Sequence, residues 1–232
     1  MDTMSGDNHH IVIKSKNMNE LLEAAYNYIK QGDFEKSLAI YKSILDSNIQ
    51  DQDLYGTKYR AIKECFFLAK KYPPAMQFLS IYKDKILNEI KKSSIINPLF
   101  LIEYAEICYL TLNDNEFLEF FENICKTDKK IAIDVYSVVE KILINNKRWD
   151  LCNICIDDPT KYCSKLIEQY DELARISKEH HNGKYNEEYK LNFCKKLETL
   201  FWILKVSERA EIKKTLTFVR SELKKRSIDC EK

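Results

Sequence analysis

Along residues 19–45, NELLEAAYNYIKQGDFEKSLAIYKSIL, apolar side chains recur at intervals of three and four. Leu21, Ala24, Ala25 and Tyr28 stand at i, i+3, i+4 and i+7, one face of an α-helix. Beyond Gly32 the stripe returns as Phe34, Leu38, Tyr41, Ile44 and Leu45. Glycine takes the positive φ that a helix end often needs, and Asp33 can cap the next helix by accepting a backbone N–H. The pattern predicts two antiparallel helices turning at 31–34, with small Ala24, Ala25 and Ser37 where they approach. So short a pair cannot bury both its flanks alone, and neighbours are expected to stack on it.

The remainder repeats this plan in altered form. After a polar linker at 46–53, Tyr59, Ile62, Phe66 and Ala69 predict a helix over 54–72. Pro73 and Pro74 force a turn, since the residue before proline leaves helical geometry and a proline suits a first helical turn. Phe78, Leu79, Tyr82, Ile86 and Ile90 mark the return helix. A third pair carries Leu101, Tyr104, Ala105, Cys108 and Leu112, a turn at 113–115, then Phe117, Phe120, Phe121 and Ile124. A fourth carries Ile131, Val135, Val138, Val139 and Ile142, a turn at Asn145-Asn146, then Trp149, Cys152 and Ile156. The turn-following residues Phe34, Ala75, Phe117 and Trp149 lie 41, 42 and 32 apart, an irregular repeat. Beyond Pro159 the pattern changes to helices over 160–179, 186–206 and 207–225, read as a C-terminal cap. The last helix has a basic outer face: Lys213, Lys214, Arg220, Lys224, Lys225 and Arg226.

Ala24-Ala25, Tyr28, Gly32, Phe34, Ser37, Tyr41 and Ile44-Leu45, with the turn Lys30-Gln31-Gly32-Asp33-Phe34, resemble one tetratricopeptide repeat. Two positions depart from that pattern: Leu21 stands where the family often has Trp, and no proline closes the repeat near Ile49. The resemblance implies an all-α fold, an antiparallel helix-hairpin α-solenoid wound as a right-handed superhelical stack. On this reading 1–17 form a flexible leader, 18–158 about four hairpins, and 159–232 the cap. It also implies that the first helix of each pair lines a concave peptide-binding surface. Family members that hold a chaperone's C-terminal carboxylate use a Lys/Asn/Lys/Arg clamp there. Leu22, Glu23 and Tyr26 occupy the positions of its first members, so that partner is not expected.

Composition narrows the alternatives. Four glycines and four prolines in 232 residues argue against an all-β fold, and no two glycines lie close enough for a phosphate-binding loop. With 37 basic and 36 acidic residues the net charge of +1 lacks the footprint of a dedicated nucleic-acid binder. An RNA-binding repeat using Lys63, Lys70, Lys71 and the basic last helix is the alternative. No apolar run is long enough to span a membrane, and the polar first 17 residues do not resemble an export signal. The eight cysteines are therefore expected as reduced thiols in a cytoplasmic protein, with Cys65, Cys108, Cys125 and Cys194 packed as small hydrophobes.

Residues capable of chemistry are few. Cys152 and Cys155 form one CxxC, with Cys163 and the pair His180-His181 following. Structural zinc takes four N or S ligands and usually two such knuckles, so no metal or other cofactor is expected. A CxxC redox role would need a βαβ setting. Cys163 with His180 or His181 could be drawn as a nucleophile pair, but their spacing fixes no geometry. His9-His10 are read as tail. Glu116, Glu119 and Glu122 are read as a solvated helix face rather than acid–base groups. An enzyme is not expected. The expectation is a scaffold whose groove holds another protein or an acidic peptide. Its residues are Asn19, Tyr26 and Lys30 from the first pair, Arg60, Lys63, Phe67, Lys70 and Lys71 from the second, and Glu106 and Tyr109 from the third.

Overall fold

The structure, a computed structural model, describes residues 18–47, 52–228 and 230, with 52–55 as backbone alone. The expected leader 1–17, with His9 and His10, lies outside the described residues, as do 48–51 of the expected linker. The described residues are all-α, with eleven helices and no strand. These are α1 (Met18–Gln31), α2 (Phe34–Leu45), α3 (Gln52–Ala69), α4 (Pro74–Lys92), α5 (Pro98–Leu110) and α6 (Asp114–Thr127). They continue as α7 (Lys129–Asn145), α8 (Trp149–Cys155), α9 (Pro159–His181), α10 (Asn186–Val206) and α11 (Ile212–Lys225). Helix α3 starts inside the stretch expected as linker. The last helix begins at Ile212 rather than 207, because Glu208 turns the chain with φ 52°.

The turns show how the hairpins are made. At the end of α1, Gly32 has φ 80°, the Asp33 N–H donates to the Tyr28 carbonyl, and the Asp33 carboxylate accepts from the Lys36 N–H. Leu112 (φ 58°) and Lys147 (φ 55°) take the same left-handed position. The following N–H groups again reach back five residues, Asn113 to Cys108 and Arg148 to Leu143. A side chain with a Cβ is strained there, so tertiary packing outweighs the local preference for glycine. Leu112, expected in a buried stripe, is consequently the exposed tip of a turn, 89% accessible. Prolines do the work elsewhere. Pro98 and Pro159 open α5 and α9 behind Asn97 and Asp158, which cap them through the Leu99 N–H and the Thr160 and Lys161 N–H groups.

Two compact units divide the chain, Met1–Glu119 and Phe120–Lys232. In the first, α1 packs on α2 and on α3, while α3 touches α1, α2, α4 and α5. The first helices α1, α3 and α5 therefore lie side by side. Having neighbours on more than one side widens the buried arc and rotates its centre. Met18, Leu22 and Ala25 are buried in α1, with the expected Leu21, Ala24 and Tyr28 at its half-buried margin. In α3 the buried apolar residues are Ala61, Ile62, Cys65 and Leu68, with Thr57 and Lys58 buried beside them, and the aromatics Tyr59 and Phe66 stand half-buried. Helix α5 is buried continuously from Leu101 to Cys108. In the second unit α7 packs on α8, α9 on α10 and α11, and α8 on α10.

The cysteines depart in one respect from the expected set of reduced thiols. Cys194 is joined to Cys230 in a disulfide that closes a 36-residue separation, and the other six are free and buried. Periodicity could place Cys194 on an apolar face but could not name a partner beyond the last helix. Denatured, unreduced protein is expected to titrate six thiols, and eight after reduction. Eight thiols without reductant would exclude the link.

Candidate functional site

The expected groove residues fall on α1 and α3, in the turn after α3, and on α5. Asn19, Tyr26 and Lys30 share one face of α1, at i, i+7 and i+11, and all are exposed. Arg60 and Phe67 stand at i and i+7 on α3, with Lys63 beside them, and Lys70 and Lys71 lie in the turn that follows the helix. Tyr26 is 49% and Phe67 58% accessible, unusual for rings of this size in a packed array. Each carries a cation on its face: Lys30 Nζ lies 4.3 Å from the Tyr26 centroid and Lys70 Nζ 4.9 Å from that of Phe67. Phe66 and Phe67 meet edge to face at 6.2 Å. These cation–π contacts hold the lysines over the rings and leave the side chains at the surface.

Other members of the expected set are turned inward. Lys63 Nζ sits 4.1 Å from the Tyr59 ring and 3.7 Å from Glu106 Oε1, and these partners raise its pKa against the opposing effect of burial. Glu106, expected on the open face, is 7% accessible. Arg60 is exposed but pairs at 2.6 Å with Glu64, which also accepts from the Tyr41 hydroxyl at 3.1 Å. Tyr109 is half-buried. Leu22, which the resemblance would put at a carboxylate-clamp position, is fully buried. The surface that remains is two exposed aromatics with Lys30, Lys70 and Lys71 around them.

The first unit also holds a buried polar cluster that apolar periodicity could not reveal. Glu103 is 3% accessible, 2.6 Å from the Tyr82 hydroxyl and 3.9 Å from Lys58 Nζ. The same hydroxyl is 3.0 Å from the Leu45 carbonyl. A phenol has one proton, so both acceptors are served when Glu103 is protonated and donates to the phenol while the phenol donates to Leu45. Burial pushes the Glu103 pKa upward, in the direction of that state, with Lys58 and then the Tyr82 hydrogen bond opposing it. The arrangement ties the end of α2 to the interior turns of α3, α4 and α5.

The candidate nucleophile and metal residues are dispersed. Cys163 and His180–His181 lie at opposite ends of α9, about 25 Å apart at about 1.5 Å per residue. Burial also pushes the Cys163 thiol up to about 12, far from a thiolate at neutral pH. Cys152 is fully buried against Tyr136, and Cys155 hydrogen-bonds Cys125 from α6, a pairing with no trace in the CxxC spacing. Among the described residues no group of three or more His, Cys, Asp or Glu is placed to hold a metal ion. The row Glu116, Glu119, Glu122 is not simply solvated. Glu116 pairs with Lys83, and Glu122 with Lys126 and Arg148.

Comparison with protein-family models, curated proteins and solved structures finds no match to this chain.

Removing the Tyr82 hydroxyl in Tyr82→Phe is expected to lower the unfolding free energy by about 1–3 kcal/mol, measured in denaturant, because Glu103 loses its partner. Glu103→Gln should differ in its pH dependence. A folded-state pKa above the ordinary 4.5 means that Glu103 favours folding most below that value and loses this contribution as pH rises through the raised one. The amide can donate to Tyr82 at every pH. Its melting temperature is expected to gain on the wild type as pH rises from below the ordinary carboxyl value towards neutrality. A constant difference across that range would refute the buried carboxylic acid.

Proposed function

We propose that this protein is a non-catalytic scaffold. Its hairpins stack as a tetratricopeptide-like α-solenoid of right-handed twist, and the outer face of α1 and α3 holds an acidic segment of another polypeptide. The observation that carries this reading is the pair Tyr26 and Phe67, exposed on first helices that pack side by side, each with a lysine over its ring. Exposed aromatics of this kind act as anchors in protein interfaces, and lysines around them favour acidic residues beside the partner's apolar contacts. The turn wording of 30–34 and the hairpin order support the family resemblance.

Affinity capture with the whole protein tests the reading. Lys63→Glu with Lys70→Glu is expected to weaken capture of a specific partner at least about tenfold, with helicity by circular dichroism unchanged. Because Lys63 faces Glu106, Phe67→Ala gives a second probe of the same surface without setting two carboxylates together. Capture unaltered by either change refutes the assignment. Capture of RNA, falling steeply with salt, would replace it with the nucleic-acid alternative.

A further inference from the structure

The second unit contains a groove that the α1/α3 face does not explain. It holds about 750 Å³ and is walled by α7, α9 and α10. On α9 its lining is Leu166, Gln169, Tyr170 and Leu173, residues at i, i+3, i+4 and i+7. The stretch of α7 from Ser137 to Ile144 and that of α10 from Asn192 to Thr199 repeat this spacing. Three helices thus expose matching stripes about two turns long, near 10 Å at 1.5 Å rise per residue. The floor is apolar: Tyr170 stacks on Phe193 at 4.9 Å, and Leu173 remains 42% accessible.

Beyond the lining residues, α10 exposes further apolar side chains. Leu191, Trp202 and Val206 share a face of that helix adjoining the lining stripe and are 55%, 53% and 45% accessible. From Tyr189 to Thr199 the α10 wall is about 15 Å long, close to three turns of helix. The rim carries Lys141, Lys195 and Lys196 against one acidic residue, Glu140, whose carboxylate accepts from the Tyr162 hydroxyl at 3.0 Å. Ser137, Gln169, Asn192 and Thr199 place polar groups along the walls. A hydrocarbon chain would desolvate these without bonding them, whereas the polar flank of a helix can serve them.

We infer that this groove docks an amphipathic α-helix of a partner polypeptide, with its apolar stripe on Tyr170, Leu173 and Phe193 and acidic residues toward Lys195 and Lys196. Docking would follow the helix-in-groove mode, read through anchors at i, i+3, i+4 and i+7. The site is independent of the α1/α3 face.

The test uses the whole protein and a fluorescein-labelled peptide of about 18 residues, with leucine at helical spacing and glutamate elsewhere. Anisotropy is expected to show saturable one-to-one binding. Lys195→Glu with Lys196→Glu should weaken it roughly tenfold, and Leu173→Asp should weaken it as well. Lys63→Glu with Lys70→Glu should leave it unchanged, which separates this proposal from the first. Should Leu173→Asp fail to fold, the two exposed lysines carry the test. Absent saturation, equal binding of a peptide with lysine for glutamate, equal binding of the same residues in an order without helical amphipathicity, or indifference to the lysine reversals would overturn the inference. Oleate binding abolished by Leu173→Asp, without peptide binding, would overturn it in favour of a lipid chain.

Discussion

The Tyr82 hydroxyl, held between the Leu45 carbonyl and the Glu103 carboxyl, is the contact on which the packing of the first unit turns. It ties the end of α2 to the middle of α4 and to α5, three helices from successive hairpins. Helix–helix contact by apolar side chains alone is tolerant of sliding, because burial is non-directional. A hydrogen bond to a buried carboxyl is not, since shifting either helix leaves a polar group without a partner in a low-dielectric interior. The device recurs: Tyr41 of α2 donates to Glu64 of α3, and Tyr162 of α9 to Glu140 of α7. In each case a tyrosine on one hairpin reaches a carboxylate 21 to 23 residues away on a neighbouring one. The apolar stripes bring hairpins together, and the tyrosine–carboxylate pins select one register between them.

Much of the secondary structure was legible because the 3.6-residue period is strong and punctuation is clear. Gly32, the Pro73-Pro74 pair and Pro159 mark boundaries that the helices respect. What periodicity could not supply was the phase of burial. A stripe identifies an apolar face, but neighbours on both flanks decide how far round the helix burial extends, as Leu22 and Cys65 show. Nor could it find Glu103 and Glu106, since acidic residues inside an apolar run look like solvent positions until partners from α3 and α4 are seen. The turns at Leu112 and Lys147 were hidden for the opposite reason. Their hydrogen-bonding matches that at Gly32, but the residues carry no local preference for it.

The candidate site was legible in its exposed members and misjudged in its buried ones. Tyr26 and Phe67 lie off the buried arc of their own helices, which periodicity reveals directly. Lys63, Arg60 and Glu106 also lie toward that margin, but long charged side chains reach across helices, and their partners come from structure alone. The α7/α9/α10 groove needed three helices in place before its stripes could be seen as one surface.

A near-neutral chain can still present basic surfaces if its two kinds of charge are spent differently. Several carboxyl groups here are engaged by other helices: Glu64 and Glu140 accept from tyrosines, Glu103 bonds the Tyr82 hydroxyl, Glu106 faces Lys63, and Glu116 pairs with Lys83. Lysines have long stems that lie along aromatic rings and keep the ammonium group in water, as Lys30 and Lys70 do. The balance of 37 basic and 36 acidic residues therefore says little about a local rim such as that of the α7/α9/α10 groove, where three lysines stand against one glutamate. Net charge weighs against a uniformly basic nucleic-acid binder and leaves room for local lysine-rimmed apolar surfaces, the kind on which an acidic amphipathic segment gains both burial and charge pairing.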